Sequence, residues 1–151
     1  MEIQMPLRKK IQAADSQELD IKSILLLDDD VELADTLKLL LESRNFVVTS
    51  VKNGVEGLRE VMAFDFDIIM CDMMMPTMPG DMFYLAVQRT KPHLSNRFIF
   101  ITGHSENPKV RDFLKTVKAT ALYKPVSTDE LVRAISIVLR NTESAEEKAR
   151  L

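Results

Sequence analysis

The chain has 151 residues, a formal net charge of -3, and hydrophobic and charged shares of 46% and 28%. That length suits one domain able to bury a core without disulfides or structural metal, and so mild a charge gives no reason to expect direct contact with nucleic acid. Cys71 alone cannot form an internal disulfide, the opening residues lack a secretory apolar stretch, and no apolar run approaches the roughly 20 residues that cross a bilayer; an intracellular, cytoplasmic protein without membrane insertion is expected.

Residues 1–21 read as a flexible N-terminal extension in which Arg8, Lys9 and Lys10 are a solvated arm. Ile24, Leu25, Leu26 and Leu27 are consecutively apolar, as in a parallel strand buried on both faces, and the run stops at Asp28, Asp29 and Asp30. Leu33, Leu37, Leu40 and Leu41 then recur along one helical stripe that Asp30 can cap. A second strand is expected over 46–49. Asn53-Gly54 supplies a turn, and Leu58, Val61 and Met62 give the next helix its buried side.

The third strand is expected over 66–71, ending at Asp72, and a helix begins near Gly80 after a loop containing Pro76 and Pro79. Residues 98–101 make the fourth strand. Asn107 caps a helix whose first residue is Pro108, with Val110, Phe113, Leu114 and Val117 on one face. A short fifth strand over 120–123 ends at Lys124-Pro125, and Ser127 with Glu130 forms a capping box for a helix buried through Leu131, Ile135, Val138 and Leu139. The domain therefore spans 22–141, and residues 142–151 are a charged, helix-prone tail that extends the last helix or begins a linker.

Five βα units with right-handed crossovers make an α/β domain: a doubly wound five-stranded parallel sheet in the flavodoxin-like order 2-1-3-4-5, with helices on both faces. Ligand sites in such sheets lie at the carboxyl ends of the strands. Here those ends carry Asp28, Asp29, Asp30, Asp72, Thr102 and Lys124. Clustered carboxylates need a cation or proton between them, and oxygen-only ligands favour Mg²⁺. An ammonium and a hydroxyl beside them complete a site for phosphoryl oxygens, with Asp72 as nucleophile.

This constellation resembles the receiver domain of bacterial-type response regulators. The resemblance rests on Ile24-Leu25-Leu26-Leu27-Asp28-Asp29-Asp30, Asp72-Met73-Met74-Met75-Pro76 with Met78-Pro79-Gly80, Ile101-Thr102-Gly103, and Tyr123-Lys124-Pro125, in family order over about three-quarters of the chain. It implies phosphorelay signalling: Asp72 accepts a phosphoryl group from a histidine kinase or phosphotransfer protein. It also implies direct Mg²⁺ ligation by Asp29 and Asp72, a water-mediated part for Asp28, and a main-chain ligand from Met74. Thr102 and Lys124 then sense the phosphoryl group, and a downstream protein partner reads the altered surface; a homodimer is compatible with this. Such a module is not an enzyme beyond its own phosphotransfer and acyl-phosphate hydrolysis. Ala121 stands where many receivers carry an aromatic residue, and residues 120–123 before Lys-Pro more resemble receivers attached to hybrid histidine kinases. Met74 and His104 occupy positions that commonly tune dephosphorylation.

Taken singly, each feature has a plainer explanation. An Asp run after a strand is usually a solvated turn, Thr102 an ordinary strand-end hydroxyl and Lys124 a surface cation; only as a set do they become a site. Cys71 reads as an inert packed thiol, His93 and His104 as surface residues, and the Met73–Met75 run as adaptable loop packing. A flavodoxin-like cofactor carrier is the competing function, opposed by the three aspartates, which repel a cofactor phosphate where such carriers place anion-binding loops. A receiver-shaped scaffold without phosphorylation is the third, opposed by the intact motif set.

Overall fold

The computed structural model describes residues 20–150. Arg8, Lys9, Lys10 and nearly all of the expected N-terminal extension lie outside them. The described chain runs β1 (Ser23–Leu27), α1 (Val31–Glu42), β2 (Val47–Val51), α2 (Gly54–Ala63), β3 (Ile68–Cys71), α3 (Gly80–Thr90), a 3₁₀ turn (Pro92–Arg97), β4 (Phe98–Thr102), α4 (Pro108–Val117), β5 (Thr120–Tyr123) and α5 (Thr128–Arg150). The five strands pair in parallel in the order β2-β1-β3-β4-β5, as the alternation of apolar runs and helical stripes requires.

The side-chain period of two divides each central strand between two cores. Leu25, Leu27, Ile69, Cys71, Phe98 and Phe100 face α2, α3 and α4, where Val61, Phe83, Tyr84, Val87, Val110 and Leu114 meet them. Ile24, Leu26, Ile68, Met70, Ile99 and Ile101 face α1 and α5, packing on Ala34, Leu37, Leu41, Leu131, Ala134, Ile135 and Val138. Every residue of β1, β3 and β4 is buried, which explains why these strands read as unbroken apolar runs.

Local chemistry sets the helix ends. Asp30, Asn53 and Asn107 each accept main-chain N–H bonds from the first turns of α1, α2 and α4. Ser127 and Glu130 form the reciprocal capping box, with Glu130 N–H donating to Ser127 Oγ at 3.1 Å and Ser127 N–H to Glu130 Oε2 at 3.4 Å.

Four local expectations change. Asn53-Gly54 is a cap and a first helical residue rather than a free-standing turn. Met62 is 58% exposed, so α2 is buried through Gly54, Gly57 and Val61. β3 begins at Ile68; just before it Asp67 N–H donates to Ser23 O at 3.0 Å, and the Asp67 carboxylate accepts from Ser23 N–H and Oγ, which ties the start of β3 to the start of β1. The 3₁₀ turn was not foreseen. α5 continues to Arg150, so the tail extends the last helix over the described residues. No helix among the described residues is long and apolar enough to cross a membrane.

Candidate functional site

The sheet's hydrogen-bond ladder continues past the strand ends and fixes the residues that leave them. Asp28 N–H donates to Val51 O at 3.1 Å, Asp72 N–H to Leu27 O at 3.0 Å, and Lys124 N–H to Thr102 O at 2.9 Å. Backbone pairing alone thus brings Asp28, Asp72, Thr102 and Lys124 to one edge of the sheet. The loop after Asp72 is pressed onto that edge: Gly80 N–H donates to Met73 O at 3.0 Å, and a Cβ on Gly80 would stand 2.4 Å from Asp72 O. No side chain fits between the start of α3 and the end of β3.

Lys124 Nζ bridges the two buried carboxylates, 3.0 Å from Asp72 Oδ2 and 3.2 Å from Asp28 Oδ2. The other oxygens are held from the main chain: Asp28 Oδ1 accepts from Asp30 N–H at 2.9 Å and Asp72 Oδ1 from Met74 N–H at 3.3 Å. Asp29 is exposed, yet one oxygen each from Asp28, Asp29 and Asp72 lies within 4.8 Å of the others. Asp30 turns away to cap α1. Thr102 is fully buried and its Oγ1 accepts from His104 N–H at 3.0 Å, which leaves the hydroxyl proton free to donate. The sequence-derived set therefore converges through Asp28, Asp29, Asp72 and Lys124. Thr102 holds the adjoining strand end, and Met74 sits in the exposed part of the loop.

One ammonium faces three carboxylates, so the pocket carries excess negative charge. Burial pushes the Asp28 carboxyl above its usual range, Asp72 adds repulsion, and the Asp30 N–H and Lys124 oppose both. Burial alone would lower Lys124, but bonds and attraction from Asp72 and Asp28 hold it above the ordinary lysine value. Three converging hard oxygens with a charge deficit fit a magnesium-type cation in donor type and spacing. Cys71 Sγ donates to Asp72 O at 3.1 Å, and complete burial pushes its thiol well up, as for an inert packing residue. His93 and His104 are exposed.

The raised Asp28 carboxyl has a testable cost. A folded-state acid above its unfolded value loses stability as pH rises between the two values, so ionised Asp28 is a liability at neutral pH. Asp28→Asn keeps an oxygen for the Asp30 N–H and removes the charge. We expect the metal-free variant to melt a few degrees higher than the parent at pH 7, while a divalent cation raises its melting temperature less than the parent's. Thermal scans with and without Mg²⁺ check both; a metal-free variant less stable than the parent would contradict the argument.

The expected site lacks one contributor. Gly80 was foreseen only as a helix start, since its clash with Asp72 O depends on a packing distance that no local pattern carries. Ala121 is half-buried against the core facing α4, and Tyr123 ends β5 exposed.

Comparisons with known proteins bear on this geometry. A family model described as the response regulator receiver domain matches residues 24–136. The transcriptional regulatory protein GlrR of Escherichia coli (strain K12) is 30% identical over 122 residues, covering 81% of this chain and 27% of that protein. The sensor kinase CckA of Brucella abortus is 27% identical over 137 residues, covering 89% of this chain and 14% of that protein. The chain thus spans only a minor part of either relative. A CheY-like response regulator receiver domain protein from Methanospirillum hungatei JF-1 superposes with a TM-score of 0.77 at 25% identity, covering 83% of this chain and 99% of the other.

Proposed function

Since this chain belongs to the response regulator receiver domain family, the signalling modules of two-component systems, we propose that Asp72 is its phosphoacceptor and that Mg²⁺ is its cofactor. The observation that carries this reading is the placement of Lys124 Nζ between Asp72 Oδ2 and Asp28 Oδ2, with Asp29 close enough to share a cation. Asp29 and Asp72 would hold the metal directly, Asp28 through coordinated water, and the Met74 carbonyl from the main chain. When bound, Mg²⁺ supplies neutralisation of charge on the transferred phosphoryl group.

The chain's own residues do the rest. An Asp72 carboxylate oxygen attacks phosphorus of a phosphohistidine in line; the new O–P bond forms as the N–P bond breaks, and the electron pair leaves with the partner's imidazole. Met74 N–H orients the carboxylate through Oδ1, so Oδ2 is the oxygen that exchanges partners. Lys124 moves from pairing with Asp72 to pairing with a phosphoryl oxygen. Thr102 donates its free hydroxyl proton to another, which draws the loop after β4 towards the pocket and biases a two-state surface for a downstream protein. Water later hydrolyses the acyl phosphate.

The donor is a histidine kinase or phosphotransfer protein, and the output is altered protein binding rather than direct nucleic-acid contact; the cytoplasm is the compartment in which such partners meet. Both a separate module and a receiver within a longer kinase accommodate this chemistry, and a homodimer is compatible with it. The domain proper is residues 22–141.

Incubating the chain with acetyl phosphate should add one phosphoryl group, seen by intact-mass spectrometry, only when Mg²⁺ is present. Addition of equal extent in excess chelator would defeat the metal assignment, and no addition with Mg²⁺ and a competent kinase would favour a receiver-shaped scaffold. Visible flavin absorbance in the purified protein would revive the cofactor-carrier alternative.

A further inference from the structure

At the base of the sheet, opposite the acid pocket, sits a cation that the phosphoryl chemistry does not use. Arg97 closes the 3₁₀ turn just before β4, and its side chain is 11% exposed. One guanidinium nitrogen donates to Phe66 O at 2.9 Å, and the other pairs with Glu146 Oε1 at 3.0 Å. Nε is buried and has no hydrogen-bond partner among the described residues. A guanidinium withdrawn from water needs a compensating carboxylate, and the one it receives comes from the far end of α5.

That end of α5 has little else to hold it. The buried stripe of the helix stops at Val138, roughly two turns before Glu146. From residue 141 to 150 only Thr142 is even half-buried. A second contact, Lys22 Nζ to Glu143 Oε1 at 3.9 Å, joins two groups at the solvent boundary. Helical turns without an apolar seat fray readily, because each short segment gains too little to fix its backbone. An anchor other than hydrophobic burial must keep them in place.

We propose that the last turns of α5 form a latched arm, in which Glu146 locks onto Arg97 and thereby fixes the heading of the helix end at the base of β4. The arm is releasable because the lock is a single charge pair with its carboxylate half in water: Glu146 is 49% exposed. Breaking the pair frees the arm without disturbing the cores, whose contacts end before it. Arg97 stays tethered to Phe66 O, so relatching needs no rebuilding of the seat. The inference does not depend on phosphorylation of Asp72.

Amide hydrogen exchange on the full chain tests it, with Glu146→Gln as the variant and Glu147→Gln as its neighbour control. Glu147 is exposed on the same turn and enters no ion pair among the described residues. Glu146→Gln should speed exchange over residues 143–150 by about threefold or more while β4 amides keep their rates, and Glu147→Gln should leave both unchanged. Salt at 1 M, where screening falls to about 3 Å, should move the parent towards the Glu146→Gln rates. Equal acceleration by both variants would mean that helix propensity alone is at work. Parent amides over 143–150 exchanging like an unstructured peptide would also overturn the latch.

Discussion

Asp72→Asn abolishes phosphoryl labelling by acetyl phosphate, leaving the intact mass unchanged under conditions that fully label the parent. A neutral amide oxygen lacks the negative charge that makes a carboxylate nucleophilic and forms no stable acyl phosphate, whereas its shape is nearly that of the carboxylate. The substituted amide still offers an oxygen acceptor to Met74 N–H, and Lys124 keeps its pairing with Asp28. The fold should therefore survive, because Lys124 retains one carboxylate partner and the pocket loses one of three crowded negative charges. That separation between chemistry and folding gives the test its force. Undiminished labelling of the folded variant would place the nucleophile on another side chain; loss of labelling through unfolding would appear as a lost thermal transition.

Lys124→Ala separates sensing from accepting. The ammonium lies between two buried carboxylates, so its removal leaves Asp28 and Asp72 facing each other without their shared cation. Mg²⁺ can still neutralise the pair, so slow labelling persists. The conformational response to beryllofluoride with Mg²⁺, followed by amide chemical shifts after β4, should weaken, and phosphotransfer should slow on the order of a hundredfold to a thousandfold, as when one oriented donor to a developing charge is lost. Folding should change far less, because the side chain lies at the strand end and not in either core. Lys124 also sets an alkaline limit: a lysine held above its unfolded value contributes stability that is present below that value and lost as pH rises through the folded one. A variant that merely unfolds, with no defect in the remaining folded fraction, would count against a sensing role.

Much of the fold was legible because fully buried parallel strands write themselves as apolar runs. Residues 24–27 and 98–101 could be little else, and Asn107-Pro108 marks a helix start in two consecutive letters. The acid pocket was legible for a related reason. In a sheet of known order, the residue following each strand has its position assigned by the ladder, so Asp28, Asp72 and Lys124 could be placed together from chain order alone. What stayed hidden depends on distances across the fold. Met62 fits the helical stripe of α2 by spacing yet overhangs the core, while Gly57 packs so closely on Leu27 and Phe83 that a Cβ there would stand 2.4 Å from Leu27 Cδ2. Arg97 looks like one of many surface cations until Phe66 and Glu146, 31 and 49 residues away, are seen around it.

Because all five strands run the same way, the molecule has two poles with different tolerances. Atoms at the carboxyl pole are fixed jointly by several strands, so one displaced backbone segment disturbs them all. At the amino pole the strands are joined also through side chains, with Asp67 on Ser23 and Arg97 on Phe66 O and Glu146, while Asp65 pairs with Lys91 and His93 nearer the solvent. A change at the Asp65 pair should therefore touch the reactive end far less than a change at the strand ends that carry Asp28 and Asp72.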